Sequence, residues 1–159
     1  MNFGRYQRQT LVKQFGKSGQ ELLRHKHAVV IGGGGLGSNS ANTLVRMGIG
    51  SLDIIDYDTV DLTNLHRTSL FTEEDVGKPK AVVLQKKLQE INAEVMVKGI
   101  KQRVTKDTIH SLIKKADVVL DGTDSLPLRF LINEASVQQN IPWVYAGVYE
   151  TVGMVMDVV

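Results

Sequence analysis

The sequence predicts an α/β domain: a Rossmann-like, doubly wound, mostly parallel sheet with helices on both faces. Three observations lead there. Short apolar runs, AVVI at 28–31 and ADVVLD at 116–121, read as buried strands, and segments of helical period lie between the strands. The glycine-rich stretch GGGGLG at 32–37 follows the first run directly and opens a helical segment. The order β-α-β-loop-α-β-α-β-α-β-β then favours parallel strands joined by crossovers. Residues 1–159 read as a single domain, with 1–27 an N-terminal arm and helix.

Taken in order, RYQRQ at 5–9 has no periodicity and reads as an exposed arm. Gln20 to His27 is expected to form a short helix capped by Ser18, with Leu22 and Leu23 turned inward. The strand at 28–31 leads through the glycines to a helix ending near Met47. Ala41, Leu44, Val45 and Gly48 recur there at helical spacing, and Gly48 and Gly50 stop it. SLDIID at 51–56 is the second strand. Residues 57–78 have no clean period and are too long for a simple connection, a pattern typical of functional loops.

Pro79 opens the next helix, whose buried face is Ala81, Leu84, Leu88 and Ile91. Residues 94–100 form the third strand. Thr105 and Asp107 cap a short helix carrying Ile109, Leu112 and Ile113. After the strand at 116–121 comes the polar turn GTDS at 122–125, then a helix from Pro127 with Leu128, Leu131, Ile132 and Ala135 on one face. Residues 141–148 and 152–159 are the last two strands, with Trp143 packed in the core. The final strand, GMVMDVV, has nothing after it to cover it. The chain is therefore expected to be truncated or half of an assembly.

Composition narrows the function. An apolar fraction of 42% and a charged fraction of 23% are those of a soluble globular protein. A net charge of +2, without a Lys/Arg cluster, argues against nucleic acid as a partner class. There is no cysteine, so neither a zinc site built on thiolates nor a catalytic thiol exists within these residues. No apolar run reaches the roughly 20 residues of a membrane helix, and the N-terminus is too polar for a secretory signal. The expected location is cytoplasmic.

Candidate binding residues follow from the strand-turn-helix context. Gly32, Gly34 and Gly37 make the G-x-G-x-x-G pattern, and Gly35 lies within it. Such a turn lets backbone approach a phosphate and aims helix amides at negative charge. Asp56 stands 24 positions after Gly32, near the spacing of a ribose-binding acid, and Asp58 is a rival for that role. The GTDS turn lies at the carboxyl end of its strand, where open α/β sheets bind ligands.

With those pieces assembled, the chain resembles the ThiF/MoeB/HesA family, relatives of the ubiquitin-activating enzymes. The matching residues are RYQRQ (5–9), GGGGLG (32–37), IIDYDTVDLTNLHR (54–67), VGKPK (76–80) and DGTDS (121–125). The resemblance implies an enzyme that uses ATP and Mg2+ to adenylate the C-terminal glycine of a small β-grasp sulfur-carrier or ubiquitin-like protein. It also implies a homodimer in which Arg8 reaches the phosphates bound by the neighbouring subunit. By the same resemblance Asp56 matches the ribose acid, Asn64 and Arg67 a phosphate-contacting pair, Lys80 a phosphate-binding lysine and Asp124 the magnesium-binding aspartate. Arg8, Arg67, Lys80 and Asp124 are thus the implied catalytic set.

The chemistry of those residue types fits. Phosphoryl-type transfer is catalysed chiefly by positioning and charge neutralisation, and arginine grips phosphate oxygens bidentately. A terminal carboxylate is already ionised at neutral pH, so no general base is required. Two departures stand out: His66 replaces a frequent glutamine, and Ser125 a frequent asparagine. The family's second half, with its paired C-x-x-C zinc motifs, has no counterpart here. Alternatives left open are a tRNA-adenosine dehydratase of the same family, an NAD(P)-dependent oxidoreductase, and a non-catalytic nucleotide-binding or dimer scaffold.

Overall fold

The computed structural model describes residues 3–159, so the first two residues of the expected arm lie outside it. Six strands form one sheet: β1 (His27–Ile31), β2 (Ser51–Ile55), β3 (Met96–Ile100), β4 (Val118–Asp121), β5 (Trp143–Tyr149) and β6 (Val152–Val158). Their order across the sheet is β3-β2-β1-β4-β5-β6. The first five run parallel and β6 pairs antiparallel with β5, in register from Trp143 opposite Val158 to Tyr149 opposite Val152. The chain reverses direction across the sheet between β1 and β4, which opens a crevice at their carboxyl ends.

Among the described residues α1 (Gly16–Leu23) precedes the first strand, and four α-helices connect the strands: α2 (Gly35–Met47), α3 (Lys80–Ile91), α4 (Ile109–Ile113) and α5 (Leu126–Gln139). Alternation along the strands builds two cores. Ala28, Val30, Leu52, Ile54 and Val97 pack under α2 and α3 with Ala41, Val45, Leu84 and Leu88. Val29, Ile31, Ile55 and Val119 pack under α4 and α5 with Ile109, Ile113, Ile132 and Trp143. Strands buried on both faces explain the continuous apolar runs in β1 and β4.

Three expectations need correction. Residues 5–9 are not a free arm. Tyr6 is only 4% exposed; its hydroxyl accepts from Asn92 Nδ2 at 2.9 Å and donates to Glu94, and its ring fills the space where a Gly48 Cβ would stand. Partners 86 and 88 positions away leave no local periodic signal. The first helix begins at Gly16, with Ser18 inside it rather than capping it, and His27 belongs to β1. Leu22 is exposed; the fully buried side chain of that helix is Gln20, whose amide donates to the Met47 carbonyl at 2.9 Å. A satisfied amide can replace a leucine at a buried position. In α4 the residue at the cap is Thr108, not Thr105 or Asp107.

The loop at 57–78 is ordered by two short 3-10 turns, Leu62–Arg67 and Glu73–Asp75. Each is closed by a capping box, Asp61 with Asn64 and Thr72 with Asp75. The expected last strand is present as an exposed edge, with Val155 at 75% and Met156 at 55% exposure. No helix among the described residues is long and apolar enough to cross a membrane.

Candidate functional site

The glycine turn sits at the exit of β1, and its backbone geometry depends on the absence of side chains at three places. Gly32 has φ +94°, and a Cβ there would strike Gly122 at the exit of β4. A Cβ on Gly37 would strike the Gly32 carbonyl, and one on Gly122 would strike both Gly32 and Gly37. Two neighbouring strands can therefore deliver their loops to one point only because these residues are glycine. Gly34, by contrast, faces open space, which is where a ligand can approach the backbone.

A cleft of about 920 Å³ opens over this turn. Gly32, Gly34, Gly35, Asp56, Asp58, Arg67, Lys80 and Asp124 all line it. Three of the expected residues do not. Gly37 is buried against Gly32, as its packing role requires. Asn64 is 9% exposed, and its side-chain oxygen accepts the Asp61 N–H at 3.1 Å, so it shapes the loop that delivers Arg67. Arg8 lies at the other end of the sheet. Its neighbour Gln9 donates to the Met47 carbonyl at the carboxyl end of α2, whereas the cleft is at the amino end of that helix.

Asp56 and Asp58 have different tasks. Asp56 is 8% exposed and braces the site: Oδ2 accepts the Gly33 N–H at 2.6 Å and Oδ1 accepts the Asp58 N–H at 2.7 Å. Asp58 is exposed. Its carboxylate lies 3.4 Å from Lys80 Nζ, and its carbonyl accepts the Lys80 N–H at 3.0 Å. The amino end of α3 is thereby tied to the exit of β2, and through Asp56 to the glycine turn. Arg67 is exposed; it donates to the Thr63 carbonyl at 2.8 Å, and its aliphatic stem lies against Gly35.

Asp124 is exposed and has no hydrogen bond or ion pair among the described residues. These residues contain no cluster of three or more His, Cys, Asp or Glu side chains that could enclose a metal. A single uncommitted carboxylate still suits magnesium, which takes one or two carboxylates and fills its remaining positions with phosphate oxygens and water.

Two cations in the cleft escaped the sequence reading. Arg129, on α5, donates to Asp121 Oδ2 at 2.9 Å, to the Thr123 carbonyl at 2.8 Å and to the Ala146 carbonyl at 3.0 Å. It clamps β4, the turn carrying Asp124, and β5 together. The Asp121 side chain is wholly buried, and burial pushes its carboxyl above the usual range even though the Thr123 N–H and Arg129 act to lower it. Arg103, just past β3, stacks on Tyr57 with its guanidinium carbon 3.6 Å from the ring centroid. The only sequence signal for either was position: each follows the carboxyl end of a parallel strand, Arg103 after β3 and Arg129 after β4.

The ThiF family model matches residues 6–159. The chain is 42% identical over 158 residues to the Sulfur carrier protein ThiS adenylyltransferase of Bacillus subtilis, covering 98% of this chain and 47% of that protein. It is 40% identical to the Sulfur carrier protein adenylyltransferase of Thermus thermophilus, covering 95% of this chain and 56% of that one. The chain thus spans about half the length of the curated relatives it matches. Among solved structures, the E. coli tRNA N6-threonylcarbamoyladenosine dehydratase TcdA in complex with ATP superposes with a TM-score of 0.82 at 28% identity, over 90% of this chain and 59% of that one. The matched span takes in the glycine turn, the loop carrying Arg67, Lys80 and the Asp124 turn, and on it the chain belongs to the ThiF family.

Proposed function

We propose that this chain is the ATP-binding part of an adenylyltransferase that activates the C-terminal glycine carboxylate of a small ubiquitin-like sulfur carrier. One observation carries the reading: a glycine turn, Arg67, Lys80 and a free Asp124 line a single cleft at the carboxyl edge of the sheet. The sulfur-carrier adenylyltransferases among the relatives support it, as does an ATP-bound neighbour of the same fold.

In the reaction, a carboxylate oxygen of the carrier attacks the α-phosphorus of ATP. An O–P bond forms, the bond between the α-phosphorus and the bridging oxygen breaks, and pyrophosphate leaves with the electron pair. The barrier is electrostatic, because an anion approaches a polyanion. The amides of Gly34 and Gly35, at the start of α2, meet the phosphates, and Arg67 and Lys80 neutralise charge that shifts toward the leaving group. Asp124 would hold a magnesium ion accompanying the nucleotide, which would supply positive charge to offset that of the phosphates. Asp56 keeps the glycine turn fixed against β2 while a ribose lies beside it.

Arg8 fits a homodimer. Within one chain α2, 13 residues long, separates the segment at 5–9 from the cleft, roughly 20 Å at 1.5 Å per residue. A phosphate-contacting role for Arg8 would therefore require the cleft of a second subunit. A cytoplasmic location is in keeping with a reaction that consumes ATP.

ATP–pyrophosphate exchange in the presence of a Gly-Gly-ended carrier tests the proposal. Exchange that depends on the carrier and is lost in Arg67→Ala supports it; no exchange, or exchange unchanged by that substitution, refutes it. The likeness to TcdA favours a second reading, dehydration of a modified adenosine in tRNA. It shares the nucleotide site and differs in substrate, so tRNA-dependent rather than carrier-dependent consumption of ATP would select it.

A further inference from the structure

Four cationic side chains line the cleft, and three are already engaged. Arg67 bonds the Thr63 carbonyl, Lys80 pairs with Asp58, and Arg129 is held by Asp121 and two backbone carbonyls. Arg103 is different. Among the described residues it has no hydrogen bond or ion pair, and its guanidinium lies over the face of Tyr57. Tyr57 is itself 43% exposed, an aromatic ring left open at the mouth of a polar cleft.

The sheet order fixes what lies near this pair. Along the carboxyl edge the exits run β3, β2, β1, β4, so the Arg103 segment is two strands from the glycine turn, on the side away from Asp124. Strand spacing makes that roughly 10 Å. A nucleotide whose phosphates sit on the glycine turn has its ribose at the exit of β2, beside Asp56, and its base beyond, against the exit of β3.

We propose that Tyr57 and Arg103 form a stacking platform for the nucleotide base, with the guanidinium layered between the phenol ring and a purine face. This rests on the reading of the cleft as an ATP site and assigns its base-binding end. A guanidinium is planar, delocalised and weakly hydrated, so it can present one face to Tyr57 and the other to a base. Its N–H edge stays in water, and stacking costs it no hydrogen bond. A platform of this kind contributes affinity without choosing among purines, because every base offers a π face.

Equilibrium titration of the full chain with MgATP and with magnesium tripolyphosphate, for the wild type, Arg103→Lys, Arg103→Ala and Tyr57→Leu, tests it. Arg103→Lys keeps the charge and removes the plane. It is expected to weaken MgATP roughly tenfold, as Arg103→Ala and Tyr57→Leu do, and to leave tripolyphosphate binding unchanged. Wild-type affinity in Arg103→Lys, with Arg103→Ala weakening ATP and tripolyphosphate alike, would make Arg103 a phosphate contact and overturn the platform. So would ATP affinity indifferent to all three substitutions. A wild-type chain that binds no ATP overturns the nucleotide reading along with it. Both side chains are exposed at the rim, and matched unfolding midpoints verify that the variants are folded.

Discussion

Replacing Arg129 by methionine perturbs the site through its scaffold, and the structure sets the size of the effect. The substitution keeps most of the apolar stem and deletes the guanidinium that bonds Asp121, the Thr123 carbonyl and the Ala146 carbonyl. Asp121 has a wholly buried side chain, while that of Arg129 is 17% exposed. Breaking such a pair by removing one partner costs about 3–5 kcal/mol. At about 3 °C per kcal/mol for a domain of this size, Tm should fall by roughly 10 °C.

The loss should also depend on pH, in a direction the burial dictates. Asp121 titrates above the ordinary 3.8 in the folded chain, so the fold retains a proton that the unfolded chain has released. Its contribution to stability therefore declines as pH rises from 3.8 to the folded pKa. Without Arg129 that pKa climbs further and the declining window extends upward. The gap between wild type and Arg129→Met should stay level while Asp121 is protonated in both folded chains, then widen toward neutrality once pH passes the raised wild-type pKa, by at most about 1.4 kcal/mol per pH unit. At low pH only the lost bonds to the two carbonyls remain. Denaturant unfolding from pH 4 to 8 measures this, with Asp121→Asn/Arg129→Met expected to recover most of the stability. A gap under about 1 kcal/mol, or one flat across that range, refutes the assignment of Arg129 as the counter-ion of a buried carboxylate.

Gly122→Ala places a methyl against Gly32 and Gly37. It should cost about 1–3 kcal/mol and abolish ATP binding; an alanine variant that binds ATP normally would show that the two loops are not held together there. Asp56→Asn leaves one of the two amides that donate to it, Gly33 or Asp58, facing a second donor. A loss of about 2 kcal/mol is expected by urea titration, and an unchanged midpoint would remove the bracing role. For Asp75 burial acts to raise the carboxyl, but bonds from Lys87 and Thr72 outweigh it and hold it below 3.8. Its stabilisation is present above 3.8 and lost as pH falls through the depressed value. The Tm gap between wild type and Asp75→Asn should therefore close below pH 4, and a gap constant down to pH 2 contradicts this.

The backbone of the site was legible because local rules carry it. The glycines, the apolar strands and the proline before α3 each have a short-range physical reason that survives in one dimension. Asp124, in a turn after a buried strand, was placed by the same rule. What escaped depends on distant partners. Tyr6 is buried by Asn92 and Gly48, and Gly122 is required by Gly32 and Gly37. Arg103 gains its meaning from Tyr57, 46 positions earlier. Asn64 shows the converse: the motif named it, but its side chain closes a capping box and does not face the cleft.

The central claim is that the triphosphate of ATP lies on the glycine turn, where side chains from three separate loops meet it. A crystal structure of the chain with magnesium and a non-hydrolysable ATP analogue tests that most directly. The expected result has the phosphates on the amides of Gly34 and Gly35, with Arg67 and Lys80 bonded to their oxygens and Asp124 on the metal. A nucleotide bound outside this cleft, or bound within it with its phosphates turned away from Arg67 and Lys80, would contradict the account.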